Sequence, residues 1–400
     1  VNQYRSTGRG AAALTLVLLA AGAGAVSHAA VRVAPIDIGA GLDAYARGAY
    51  DKALESARRL SGERMTELGL PILQAGRVWV DRVPEDRPRR VLVAAAFALE
   101  TQYIRAERGG WLRYDGEPPC TGACVLEWAC ALLQSRGAPD ATERTWMLAS
   151  VALAGGVREW GLLHAPLTPP GPRTQIRGHL VHALARFPDE PRFRLARAVA
   201  IASRLAVLPE MDAPREGELT GPAGPSMDMV RVVGPGVSLV GDVRTVQMDH
   251  ARQQLSSLLA DPSVGAEARL RLAYLDLRAR AYQDALKQAQ ESANTATEPD
   301  IEYAARYLAA QAAQALGDLQ GAEALLTSAL EVRPHSQSAT LALAALKYRR
   351  GDVEPAYALI ESSFRERAAD DDPWRMFLYG DFPRLPSLIA ELRRQIGGPR

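Results

Sequence analysis

Gly317-Asp318-Leu319 and Gly351-Asp352-Val353 stand 34 residues apart, and each is followed, three residues after its last member, by an alanine, Ala322 or Ala356. Sliding one copy onto the other also pairs Ala310 with Ala344, Leu326 with Ile360 and Ala329 with Ser363. Tyr303 to Arg367 is therefore an internal repeat, and a period of this size governs every other reading of the chain. Small residues return where two helices must cross closely, with larger apolar residues beside them. Gly317 and Gly351 end a first helix, because glycine enters the left-handed region without steric cost. Asp318 and Asp352 are placed to cap a second helix. Pro334 closes one unit, and Pro355 falls in a first helical turn, where a missing N–H costs little.

The pattern resembles the tetratricopeptide repeat (TPR) family. Counting Tyr303 and Gln337 as position 1, Ala310 and Ala344 hold position 8, and Ala322 and Ala356 hold position 20. The resemblance implies an all-α, TPR-like solenoid, a right-handed superhelix of helix pairs, with a Pro/Gly-rich insertion and a C-terminal capping helix. It departs at position 11, where the usual aromatic is replaced by Asp276, Ala313 and Lys347. The family's concave face binds a peptide or partner protein. Carried onto this chain, the resemblance places Glu267, Tyr274 and Arg278 there from one unit, Tyr307, Gln311 and Gln314 from the next, and Ser338, Tyr348 and Arg349 from the last.

Composition sets the wider frame. The 400 residues are 48% apolar and 23% charged with a net charge of +1, and acids and bases are interspersed. No basic tract is suited to nucleic acid or an anionic membrane. At the start, Arg5 and Arg9 precede an uncharged apolar run from Ala11 to Ala25, and Ser27-His28-Ala29 offers a cleavage point. That layout predicts a signal peptide over 1–29 and a periplasmic or secreted protein, with a retained membrane anchor as the alternative. Val1 reads as a non-methionine start, which points to a bacterial gene.

Taken in order, 30–177 is expected to hold divergent helical repeats. Gly48-Ala49-Tyr50-Asp51-Lys52-Ala53 has the turn spacing of a unit at about 34–67, with Gly41 at the small position. Arg89–Arg105, Val125–Gln134 and Glu143–Leu153 carry apolar residues at helical spacing. The Gly/Pro-rich 107–122 reads as a surface loop. A further unit spans 178–262, its second helix near Asp249–Ala260 and its helices separated by an insertion at about 209–243. Within that insertion Met229–Val233 and Val237–Val240 could pair as a hairpin around Gly234-Pro235-Gly236. TPR units fill 263–368. In the capping segment, 369–400, an aromatic cluster precedes a helix with Leu385, Leu388, Ile389, Leu392 and Ile396 on one face.

Other candidate sites are sparse. Cys120 and Cys124 could form a disulfide in an oxidising compartment, or all three cysteines could be buried or free thiols. His179 and His182 lie one helical turn apart without a third ligand, so no metal is expected. Asp370-Asp371-Asp372 reads as a solvated charge run before a helix. No nucleophile motif, phosphate loop or cofactor signature is present. The sequence thus predicts a non-catalytic protein interaction scaffold without cofactors. The alternatives are a structural subunit of an envelope or secretion assembly, or an enzyme with its site in 68–177 using Cys120 or Cys124.

Overall fold

The structure is a computed structural model, and it describes residues 37–60, 68–107, 122–164, 180–202, 239–365, 372–377 and 380–397. Its secondary structure among these residues is entirely helical. The anticipated signal segment, residues 108–121 of the expected surface loop with Cys120, and the stretch 203–238 lie outside them, as does His179. None of the described helices is long and apolar enough to cross a membrane.

The repeats form as helix pairs. In the C-terminal half α9 (Gly265–Arg278) pairs with α10 (Tyr282–Thr295), α11 (Pro299–Ala315) with α12 (Leu319–Val332), and α13 (Gln337–Arg349) with α14 (Val353–Arg365). Gly317 at φ 86° and Gly351 at φ 89° make the turns, a conformation L side chains rarely adopt. Asp318 accepts a hydrogen bond from the Gly321 N–H at 2.8 Å, the expected cap. Ala310, Ala322, Ala344 and Ala356 are all buried at the crossings. Around them Tyr303, Leu308, Leu326 and Leu343 join one core. Each such leucine, fully buried, stabilises by about 1.5–3 kcal/mol.

Among the described residues of the N-terminal half, every regular element is a helix. α1 (Ile38–Ala46) and α2 (Tyr50–Arg59) are the anticipated first pair, with Gly41 where a Cβ would meet the Ala53 carbonyl at 3.3 Å. α3 (Gly69–Asp81), α4 (Arg87–Glu107), α5 (Gly122–Gln134) and α6 (Ala141–His164) follow. The middle of α4, from Val91 to Leu99, is almost wholly buried, and the Trp146 indole N–H donates to the Ala95 carbonyl at 2.9 Å. Residues 180–186 are helical and precede α7 (Pro191–Ala202).

Two expectations need correction here. The partner of α7 is α8 (Leu239–Ser256), which begins well before Asp249, so Leu239 and Val240 open a helix and do not close a hairpin. Asp372 is not solvated. It is 1% exposed and accepts hydrogen bonds from the Ser338 N–H at 2.5 Å and its own helix's Trp374 N–H at 3.0 Å. The short α15 (Pro373–Phe377) that it starts packs on α11. A 3-10 turn at Phe382–Arg384 leads into α16 (Leu385–Gly397), the anticipated amphipathic helix. Its apolar face, Leu385, Ile389, Leu392 and Ile396, is buried, and the helix packs chiefly against α6 and α4, far from α14 in sequence.

Candidate functional site

The site is built on first helices. On α9 and α11, residues three and four apart share a face, which brings Glu267, Arg271, Tyr274 and Arg278 into one line and Tyr303, Tyr307, Gln311 and Gln314 into another. Across these lines lie the chain's own residues 372–377 and 380–384.

Its aromatic half is a stack. The Trp374 ring lies 4.9 Å from Tyr307 and 5.4 Å from Phe377, nearly parallel to the latter, and Tyr274 meets both rings edge-on at 6.0 and 6.1 Å. The Arg271 guanidinium lies over the Phe377 ring at 3.6 Å, a cation–π contact strengthened by burial. Tyr303 stacks on Tyr307 at 6.3 Å, and its hydroxyl reaches Asp372 at 3.4 Å. Burial pushes both tyrosine phenols up, so both remain donors at neutral pH. The Gln311 side chain bonds Tyr307.

Its ionic half centres on Glu267. Arg192 of α7 donates to Glu267 at 2.6 Å and to Glu298 at 3.2 Å, while Arg384 donates to the same two carboxylates at 3.1 and 2.7 Å. Asp381 pairs with both arginines. Burial works to raise the Glu267 carboxyl, and the guanidinium groups of Arg384, Arg271 and Arg192 together outweigh it, holding it down at about 2. Asp381 is pushed up by burial and by the charge of Glu267.

The nine residues expected on the concave face therefore divide. Arg278, Arg349 and Tyr348 are exposed, Tyr348 by 59%, and Tyr274, Gln311 and Gln314 are half-buried. Glu267, 4% exposed, and Tyr307 are buried beneath other residues of the chain. Residues of the stretches 372–377 and 380–384 lie across them. Ser338 contributes its backbone N–H, not its side chain. Sequence reading missed Arg271, Arg192, Arg384 and Asp381. The available signal was the i,i+4 pair Glu267 and Arg271, whose members contact each other at 3.3 Å.

The other candidates resolve in part. Cys130 is a buried free thiol, pushed up to about 11 by burial and then by Glu143. His182 is exposed. A Cys120–Cys124 bridge lies outside the described residues. Among the described residues no group of three metal-ligating side chains gathers.

Comparison with known proteins adds the family. A tetratricopeptide repeat family model matches residues 313–378, from the end of α11 through α15. Among solved structures, one reported as the functional characterization of Pseudomonas aeruginosa pilF is 14% identical, with 63% of this chain and 95% of that chain covered at a TM-score of 0.36. So low a score carries no argument about architecture or role. No curated protein matches the chain. The 34-residue period, the α-helical pairs and the family match fall on the same residues, so the stretch 313–378 is similar to the tetratricopeptide repeat.

Proposed function

We propose that this chain is a non-catalytic, exported scaffold that holds a segment of a partner protein against the first-helix face of α9, α11 and α13. The observation that carries this reading is the aromatic and arginine strip of Arg271, Tyr274, Tyr307 and Tyr348. Tyr and Arg anchor interfaces through large rigid area and planar hydrogen bonding. A short helical segment already lies on the strip, so its spacing suits such a segment. Against a thiol enzyme stands Cys130, protonated at neutral pH, since the thiolate is the nucleophile.

The test is site-resolved photo-cross-linking in envelope extract. A cross-linking amino acid is placed in turn at Arg278, Gln314 and Tyr348, and at the exposed Lys287 on the second helix α10. One partner captured from the first three positions and not from Lys287 supports the reading. Capture only from Lys287 overturns it.

A second reading, a structural subunit of an envelope assembly, is favoured by α14. Val353, Tyr357 and Phe364 are exposed along it, the face on which a further repeat would stack. A partner cross-linked from Tyr357 alone would select this reading.

A further inference from the structure

We infer that Asp372–Arg384 is an internal copy of the ligand, and that the partner of this face carries the same chemistry: a carboxylate two residues before a tryptophan, then a second aromatic one helical turn on. The inference rests on the groove reading above and names what the groove takes.

Each feature of the motif meets a dedicated receptor group. The Asp372 carboxylate is received by the Ser338 N–H at 2.5 Å and the Tyr303 hydroxyl at 3.4 Å, both from the repeats. Trp374 and Phe377, i and i+3 on one turn, present a single stacked slab to Tyr274, Tyr307 and Arg271. These are three kinds of recognition, for a charge, a wide ring and a second ring, at fixed intervals. A helix of five residues has no stability of its own, so its shape comes from the surface that holds it.

The fit leaves space beside Arg271, where a competing segment could gain a contact. The Arg271 Nε is buried and bonds no other atom of the described residues. Beside it, between the segment and the first helices, remains a cleft of about 230 Å³ lined by Arg271, Glu298, Ile301, Phe377 and Pro383. A partner offering one more carbonyl or carboxylate here would gain what the internal segment forgoes. That gain has to work against the tether, which holds the internal copy at an effective concentration on the order of millimolar.

The experiment uses the full chain and a fluorescent synthetic peptide of residues 372–386, read by anisotropy. The variant Trp374→Ala/Phe377→Ala, checked for helicity by circular dichroism, removes the internal competitor. The expected result is binding to the variant at least tenfold tighter than to the wild type, lost when the peptide carries the same two alanines. A helical variant that does not bind the peptide overturns the inference. If the variant loses its helicity, deuterium uptake by residues 372–384 of the wild type is measured with excess unlabelled peptide. Faster uptake supports displacement, and unchanged uptake overturns it. A partner that still cross-links at Arg278 and Tyr348 while the peptide fails would sink this inference and leave the groove reading standing. Silence in both assays would sink both.

Discussion

Arg393 donates from Nε to Glu100 Oε1 at 2.8 Å and from Nη2 to the second carboxylate oxygen, tying the last helix to the most deeply buried helix of the N-terminal half. Glu100 is 2% exposed, and the Tyr45 hydroxyl also donates to it. Burial first, and then the charge of Glu100, holds the Tyr45 phenol well above its usual value, so it stays a donor. Arg393→Ala leaves the carboxylate buried without its counter-ion, a loss of about 3–5 kcal/mol. Urea unfolding measures it. A loss below about 1 kcal/mol would mean that α16 does not dock on α4.

Glu267 gives a pH signature. Its carboxyl is held at about 2, below the ordinary 4.5. A depressed carboxyl contributes stability that is fully present above its unfolded value and lost as pH falls through the folded one. The stability gap between wild type and Glu267→Gln should be about 3 kcal/mol above pH 5 and should close as the pH falls toward 2. Asp381, pushed upward, protonates earlier and weakens the hold on Arg192 and Arg384 along the way. Denaturation midpoints of the two chains across this range test the sign. A gap that persists unchanged to the acid end would exclude Glu267 as the buried anion.

The missing aromatic at position 11 is replaced by ion pairs that reach the second helix of the preceding unit. Asp276 pairs with Arg252 and Lys347 with Glu323, each across 24 residues and with opposite polarity. Ala289 and Ala313, at the same spacing, are buried in one core. Asp276 is nearly buried and Lys347 about a quarter exposed. Asp276→Ala should therefore cost about 2 kcal/mol and Lys347→Ala about 0.5 kcal/mol, read by thermal or urea unfolding. Equal costs would contradict the difference in burial.

These pairs also mark how far the sequence could be read. The turns at Gly317 and Gly351 and the small residues at 310, 322, 344 and 356 were legible because each answers to a local or one-period constraint. The helix at 385–397 was legible as well, since its apolar spacing is intrinsic. Its docking place was not. Periodicity states that Ile389 and Leu392 need an apolar partner, and both α14 and α6 supply residues that could serve. Likewise the repeat frame put Tyr274 and Tyr307 on the first-helix face, while nothing local announced that Trp374 would occupy it. Asp372 looked solvated beside Asp370 and Asp371 because its acceptor role depends on the backbone N–H of Ser338, distant in sequence.

Close approach in the divergent half offers a sharper test. A Cβ on Gly76 of α3 would fall 2.4 Å from the Trp128 ring of α5. Gly76→Ala should lower stability by about 1–3 kcal/mol through overpacking, although alanine is the better helix former by about 1 kcal/mol. Differential scanning calorimetry on the two chains decides it. An unchanged or raised Tm would show that α3 and α5 have room to part.

The end of the repeat array carries the last prediction. A capping helix seated on α14 would bury Tyr357 and Phe364, and removing either ring would then cost about 3–5 kcal/mol. In this structure Phe364 is 72% exposed, and the helix that could have covered it packs on α6 and α4. Phe364→Ser should thus change the unfolding free energy by less than about 0.5 kcal/mol, because no packed surface is lost. Urea titration of the isolated chain measures this directly. A loss of several kcal/mol would place a cover on α14 and move the terminal helix back to the end of the array.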